Sequence, residues 1–467
     1  MTDQTGTKPR FHWLGWVMMA GVMIGVFILG MLGASILERR QEARVQPPLK
    51  EIGDWETDSA KWRDNFPREY SSYLEMKDST TRTAHGGSYP RDYLEETPAN
   101  VILFAGYGFA SDYLQGRGHV YAVEDVLKTK RVNEKTVATC WTCKSPDVPR
   151  VMNSIGIDTF YAGKFSEFKD EITHPIGCLD CHEPNTMKLR ISRPALREAL
   201  ERQGRNLDEI SHQEMRTLVC AQCHVEYYFK GSGNYLTFPW DKGFEIENID
   251  AYYDEAGFSD WTHAISGTKM VKMQHPDYEI FRTGIHHFRQ VSCADCHMPY
   301  RTEGGVKYTN HHLQSPLLNI SNSCAVCHRW SEADIRKRVE SIQDKVHEAR
   351  GRTERAIAYA HLDIAACLES GASDPELEIA RELVRKAQLR WDFVAANNGM
   401  GFHSGQECVR ILGSSNDLAQ ECRVMCARIL AAKGYDQPVQ YPDFGSKETA
   451  QTLIKAFIDK APPKLTL

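Results

Sequence analysis

The chain has 467 residues, 42% of them hydrophobic and 25% charged, with a formal net charge of −6. That is enough to bury the core of one large or two ordinary domains. The mild charge and the lack of a long basic run exclude nucleic acid and an anionic membrane surface as evident partners. In chain order, Leu14 to Leu37 comes first, 24 positions with no charged residue, enough to cross a bilayer as one helix. The stretch "MLGASILERR" makes a poor cleavage site, so an uncleaved signal anchor is expected rather than a removed signal peptide. Lys8 and Arg10 precede the span while Glu38, Arg39, Arg40 and Arg44 follow it, a weak bias for orientation. Residues 1–13 are therefore read as a cytoplasmic tail and 38–54, polar and proline-containing, as a linker.

From about residue 55 to 330, cysteines, histidines, glycines, prolines and aromatics crowd together without sustained strand alternation. Short helices joined by long loops are predicted there. The pattern changes at Ser331, where apolar residues recur at helical spacing through Ile335, Val339, Ile342 and Val346 to Ile364, predicting one long helix. A second is predicted from Asp374, with Pro375 in its first turn, to Gly399. A third, "SNDLAQECRVMCARILAAKG", ends at Gly434. Amphipathic helices of this length bury a face on a partner helix, within the chain or across a dimer interface. The region 331–467 is read as this helical part.

Ten of the fourteen cysteines form five C-x-x-C pairs: Cys140 and Cys143, Cys178 and Cys181, Cys220 and Cys223, Cys293 and Cys296, Cys324 and Cys327. In four of them a histidine follows directly, at His182, His224, His297 and His328. This spacing lets two thiols form thioethers to one haem while the next side chain reaches the iron. Zinc groups its ligands in fours, which five pairs cannot fill, and disulfides would leave the histidines unexplained. Five covalent c-type haems are the expected cofactors. Because covalent haem attachment of this kind takes place outside the bacterial cytoplasmic membrane, the body is placed in the periplasm, anchored by its N-terminal helix. The plates themselves would then form much of the core. In the first pair Lys144 replaces the histidine, supplying a nitrogen donor on one face of the iron with no partner implied on the other.

"CWTCK" followed by four C-x-x-C-H sites resembles the pentahaem cytochrome c nitrite reductase family. So do "AGYGFASDY", "RGHVYAVEDV", "CHVEYYF", "FPWDKG", "FSDWT", "KMQHPDYE", "CADCHMP", "RWDF" and "RILG". The resemblance covers roughly residues 50 to 460 and implies a mainly α multihaem cytochrome, with short helices and long loops around five haems followed by long antiparallel C-terminal helices. It implies Lys144 as proximal ligand of the catalytic haem. As distal ligands it implies His119 for the Cys220 haem, His286 for the Cys324 haem, His311 for the Cys178 haem and His403 for the Cys293 haem, with His287 and His312 as neighbouring alternatives. His263 and His174 are read as structural.

Over the open iron face the resemblance implies Arg131, Tyr227 and His275, with Arg117 as the alternative arginine. Here the chain departs from the family's pattern, since only eight residues separate Arg131 from Cys140. One calcium ion is implied beside this haem, held by the Glu226 carboxylate, the Gln274 side-chain carbonyl and the backbone carbonyls of Tyr227 and Lys272, a hard-oxygen set. The implied reaction is the six-electron reduction of nitrite to ammonium. Electrons would come from a quinol-oxidising membrane multihaem cytochrome or a soluble one, and the enzyme would be a homodimer through helices 331–399. The alternatives are a relative acting mainly on hydroxylamine or sulfite, and a non-catalytic electron carrier in which Lys144 is one of two axial ligands. Cys367, Cys408, Cys422 and Cys426 remain. Cys422 and Cys426 lie one helical turn apart, so a bridge from Cys408 to either is favoured over one between them, with free core thiols as the other reading.

Overall fold

The computed structural model of the protein describes residues 13–42 and 50–466. The tail 1–12 and the linker segment 43–49 lie outside the described residues. The N-terminal helix, Trp13–Glu42, belongs to the first of two units, which also includes Thr302–Lys307. Its stretch Trp13–Glu38 is long and apolar enough to span a membrane, and its large side chains are exposed.

Residues 49–301 and 308–467 fold as the second unit. The region up to about residue 330 consists of short helices and 3₁₀ turns, such as Asp147–Ile155, Pro194–Arg202, His212–Ala221 and Ile246–Glu255. Sheet structure is confined to two-stranded ladders, of which Tyr228–Lys230 pairs antiparallel with Tyr235–Thr237. This unit is mainly α, with short helices and long loops followed by long C-terminal helices.

The first long helix spans Glu332–Glu369, capped by the Ser331 side chain, which accepts from the Asp334 amide. Four residues of turn then lead to the second, Asp374–Ala395, with a capping box between Ser373 and Glu376. It ends four residues before Gly399, because the Asn397 and Asn398 side chains turn inward to bond Asp277. The third, Gly405–Ala432, starts ten residues earlier than its sequence pattern predicts. Gly405 and Gly413 weaken local helix propensity, but burial of Cys408, Ile411 and Leu412 against the other long helices holds the segment helical. A fourth helix, Lys447–Ile458, was not legible from periodicity.

The three long helices pack on one another, and the first of them on helix Ala99–Leu103, forming the larger core around Phe104, Trp391 and Trp261. A second core gathers Trp141, Phe160, Leu218, Phe238 and Trp240 beneath the first cysteine pair. The four C-terminal thiols are buried and unbridged. Cys367, rather than Cys408, meets the third helix's thiols: its Sγ lies 3.4 Å from the Cys426 carbonyl oxygen.

Where the first long helix crosses the loop 263–268, His263 and His361 stack with ring centroids 3.6 Å apart. Their polar atoms are taken up by Ile102 O at 2.8 Å, Ser266 Oγ at 2.8 Å and Gln388 Oε1 at 2.9 Å. Burial lowers both rings, His361 to about 4. The unfolded chain therefore takes up protons first as pH falls, so this contribution is complete above about 6.5 and is lost on the way down to about 4. For His361 alone it amounts to about 3 kcal/mol. The urea midpoint of the haem-loaded protein is expected to fall between pH 7 and 5, and less steeply in His361→Gln; identical slopes would contradict this.

Candidate active site

The first cysteine pair sits on a 3₁₀ turn, Ala138–Trp141, whose indole is fully buried. Trp141 stacks on Phe165 at 4.0 Å and donates its Nε1–H to the Phe165 carbonyl at 3.0 Å. The turn is thereby fixed before Lys144 leaves it.

Below this turn lies Arg193, fully buried. Its guanidinium donates to Thr142 O at 2.6 Å, Ser145 O at 2.9 Å and Asp180 Oδ1 at 2.6 Å. Gln222 Oε1 accepts from the Arg193 backbone N–H at 3.2 Å, and its Nε2 donates to Asp180 O at 3.0 Å. One arginine thus ties together the loops of the first three cysteine pairs. Sequence reasoning missed it; the only signal was that Asp180 and Gln222 occupy the x positions of two C-x-x-C pairs.

The thiols of successive pairs approach one another. Cys143 is within hydrogen-bonding reach of Cys223, which holds it near 7, and Cys220 of Cys293. Further along, Cys296 senses Cys324 and Cys327. The pairs therefore run 140, 220, 293, 324, with the 178 pair beside the 220 pair, since Cys181 senses Cys223.

Each histidine that follows a cysteine pair faces a second imidazole. Ring centroids are 6.3 Å apart for His182 and His311, 6.2 Å for His224 and His119, 6.4 Å for His297 and His403, and 6.3 Å for His328 and His286. A metal held between two rings by bonds of about 2 Å, with roughly 1.1 Å from nitrogen to ring centre on each side, requires about 6.2 Å. The spacing fits an iron in each gap. The Nδ1 atoms of three rings are held by carbonyl oxygens, His182 by Met187 at 2.9 Å, His297 by Gln314 at 3.0 Å and His311 by Thr309 at 2.8 Å. This leaves Nε2 for a metal. A Cβ at Gly284 would overlap the His403 carbonyl, so only glycine lets the segment carrying His286 approach the loop carrying His403. The alternatives point elsewhere: His312 Nδ1 lies 3.1 Å from Glu75, and His287 meets Phe281 edge-on. His174 bonds Asp147 at 3.0 Å.

His224 has a second ring at a similar distance, His275 at 6.4 Å, so separation alone does not choose its partner. His275 is half-buried, with its Nδ1 buried and lacking a hydrogen-bond partner among the described residues, and burial followed by the positive charge of Lys144 lowers it to about 3. Lys144 itself makes no ion pair and no side-chain hydrogen bond among the described residues.

Tyr227 is raised well above the usual phenol range, chiefly by burial and then by the nearby Cys143 and Cys140 thiols. The Arg131 guanidinium lies 4.1 Å over the Phe109 ring, and its Nε donates to Thr129 Oγ1 at 3.2 Å. Its charge reaches Cys140 and Tyr107, and it has no carboxylate partner among the described residues. Arg117, by contrast, is committed to Asp125 at 2.6 Å and Glu124 at 2.9 Å. Of the two arginines, Arg131 is the one with charge to spare.

Beside Tyr227, Glu226 is fully buried, accepting from Tyr253 OH at 2.7 Å and from the Gln274 amide at 2.6 Å. Burial pushes it well above the carboxylate range. A second buried carboxyl, Glu279, raised by burial to about 8, accepts from the Glu226 amide at 2.9 Å. Gln274 Nε2 donates to Lys272 O at 3.1 Å. The Lys272 ammonium is turned away to Asp392 at 2.8 Å, where Phe104, Phe109 and Tyr113 surround it. The Glu226 carboxyl is linked to Gln274 through the Gln274 backbone N–H, and the Gln274 side chain to the Lys272 carbonyl, a set of oxygen donors whose chemistry fits calcium. Among the described residues no three His, Cys, Asp or Glu side chains converge on a metal; this set contributes one carboxylate and otherwise carbonyl oxygens.

The family model for cytochrome c552 matches residues 58–464. Among curated proteins, a cytochrome c-552 from Parabacteroides distasonis is 49% identical over 456 residues, covering 96% of this chain and 92% of its own. One from Bacteroides fragilis is 49% identical over 462 residues, covering 97% and 94%. Among solved structures, the catalytic subunit of cytochrome c nitrite reductase from Desulfovibrio desulfuricans, described with two calcium sites, superimposes with a TM-score of 0.79 at 33% identity. That match covers 90% of this chain and 92% of the other. The paired imidazoles, the lysine-bearing first site and these likenesses converge: the chain belongs to the cytochrome c552 family.

Proposed function

We propose that this protein reduces nitrite to ammonium, taking six electrons, at a c-type haem attached to Cys140 and Cys143 and ligated by Lys144. Four bis-histidine haems, with the axial pairs His182 and His311, His224 and His119, His297 and His403, and His328 and His286, would feed it. The observation that carries the reading is the asymmetry among the five sites. Four have facing imidazoles at axial spacing, while the fifth has a lysine with Arg131, Tyr227 and His275 nearby.

The haem iron would supply electrons and a coordination position for the nitrite nitrogen. The residues supply the rest. Arg131, free of carboxylates, attracts an anion and stabilises its charge as N–O bonds break. His275 is kept neutral by burial, so its N–H is a hydrogen-bond donor at rest. An entering anion opposes the desolvation that lowers the ring and lets it carry a proton to the departing oxygen. Tyr227 offers a phenol held protonated, suited to orient a nitrogen species by hydrogen bonding. Calcium held by Glu226, Gln274 and the carbonyls of Tyr227 and Lys272 would keep the segments around 227 and 275 in register and ionise Glu226.

The helix Trp13–Glu42 supports an anchor at the cytoplasmic membrane with the body, 55–467, in the periplasm. A quinol-oxidising membrane multihaem cytochrome or a soluble cytochrome would be the donor, and helices 331–399 the contact of a homodimer. The test is the ammonium yield from nitrite with a reduced viologen dye. One ammonium per nitrite is expected; nitrite left unchanged would favour the electron carrier, and faster turnover of hydroxylamine or sulfite than of nitrite would favour the related reductases.

A further inference from the structure

The partners of the proximal histidines differ in one respect. His182 and His297 donate Nδ1–H to neutral backbone carbonyls. His224 instead faces a carboxylate, with Nδ1 lying 3.4 Å from Asp277 Oδ2. Asp277 is a buried residue whose other contacts hold it in place. Oδ1 accepts from Asn397 Nδ2 at 2.6 Å and the Asn398 amide at 2.9 Å, and Oδ2 accepts from Asn398 Nδ2 at 2.8 Å. Its own N–H donates to the His275 carbonyl at 2.7 Å. The cradle comes from residues just past the second long helix, more than a hundred positions away in the chain.

We propose that Asp277 is a positioning residue for electron delivery: by accepting the Nδ1 proton of His224 it strengthens that imidazole as an iron ligand and lowers the reduction potential of the Cys220 haem below its bis-histidine neighbours. A carboxylate behind a ligating histidine raises the basicity of the ligand, and a more basic ligand favours the oxidised metal. The Cys220 pair adjoins the first pair through Cys143 and Cys223. A low potential at this haem therefore makes an electron that has reached it leave readily for the Lys144 site. The backbone N–H of the same residue holds the His275 carbonyl, so relay and proton-donor geometry share one anchor. The inference rests on the reading of His224 as an iron ligand.

The test is a redox titration of the haem-loaded, full-length protein, followed optically and by low-temperature electron paramagnetic resonance. Asp277→Asn is expected to move one low-spin haem to a higher midpoint and to change the g-values of that same haem, while Asp277→Glu keeps both near the parent values. Asn398→Ala, which frees the carboxylate to bond His224 more strongly, is expected to move that midpoint down. Unchanged midpoints and g-values in Asp277→Asn with five haems attached would overturn the inference. So would a raised midpoint without a change in g-values, since loss of a nearby charge alone does that. A parent protein lacking haem at Cys220 and Cys223 by mass would instead sink the site reading beneath it.

Discussion

His275→Asn is expected to lower nitrite turnover by about a hundredfold or more, the range seen when a positioned acid–base group is lost, with all five haems retained. The expectation follows from where the ring sits. It is half-buried, its buried Nδ1 has no partner among the described residues, and it senses the charge of Lys144. A polar atom left unpaired in a buried site costs stability. Asparagine preserves size and a hydrogen-bond donor but cannot hold and release a proton near neutral pH. Loss of turnover with a little-changed KM would place the ring in the chemical steps, whereas an unchanged rate would remove it from them. The same variant separates the two rings near His224. If His119 is the axial partner, His275→Asn leaves the low-spin haems intact, while His119→Ala opens a second iron.

Arg193→Met is expected to cost about 3–5 kcal/mol, the typical effect of leaving one member of a buried ion pair alone. Asp180 would keep its burial and lose its guanidinium, and the carbonyls of Thr142 and Ser145 would lose their donor. Those carbonyls flank Cys143 and Lys144, so the damage falls on the first haem loop. A lowered urea midpoint with incomplete haem attachment at Cys140 and Cys143 is the predicted result, read by intact mass. Full loading with unchanged stability would show that the three loops are held by other means.

The chain's own pattern shows its chemistry more readily than the supports beneath that chemistry. The cysteine pairs and Lys144 are legible because covalent attachment needs a fixed local spacing. The long helices are legible because burial on one face leaves a 3.6-residue period. Which histidine faces which pair was accessible only through resemblance, since His403 and His297 are brought together by tertiary packing. Arg193, Asp277, Lys272 and Asp392 were not legible as a framework. In sequence each is an ordinary charged residue, and it is their burial against partners as far as 121 positions away that gives them a role. The early start of the third long helix was hidden for a related reason, because glycines at 405 and 413 argue for a loop until the facing helices are in place. The proximity of Cys367 to Cys426 likewise depends on how the first and third long helices meet.

The central claim is that the iron at Lys144 keeps one face open for a small nitrogen oxyanion. The most direct measurement is the electron paramagnetic resonance spectrum of the oxidised, haem-loaded protein before and after adding nitrite. One high-spin haem among five, converted by nitrite while the other four stay low-spin, is the predicted result. Five low-spin haems, none of them altered by nitrite, would contradict it.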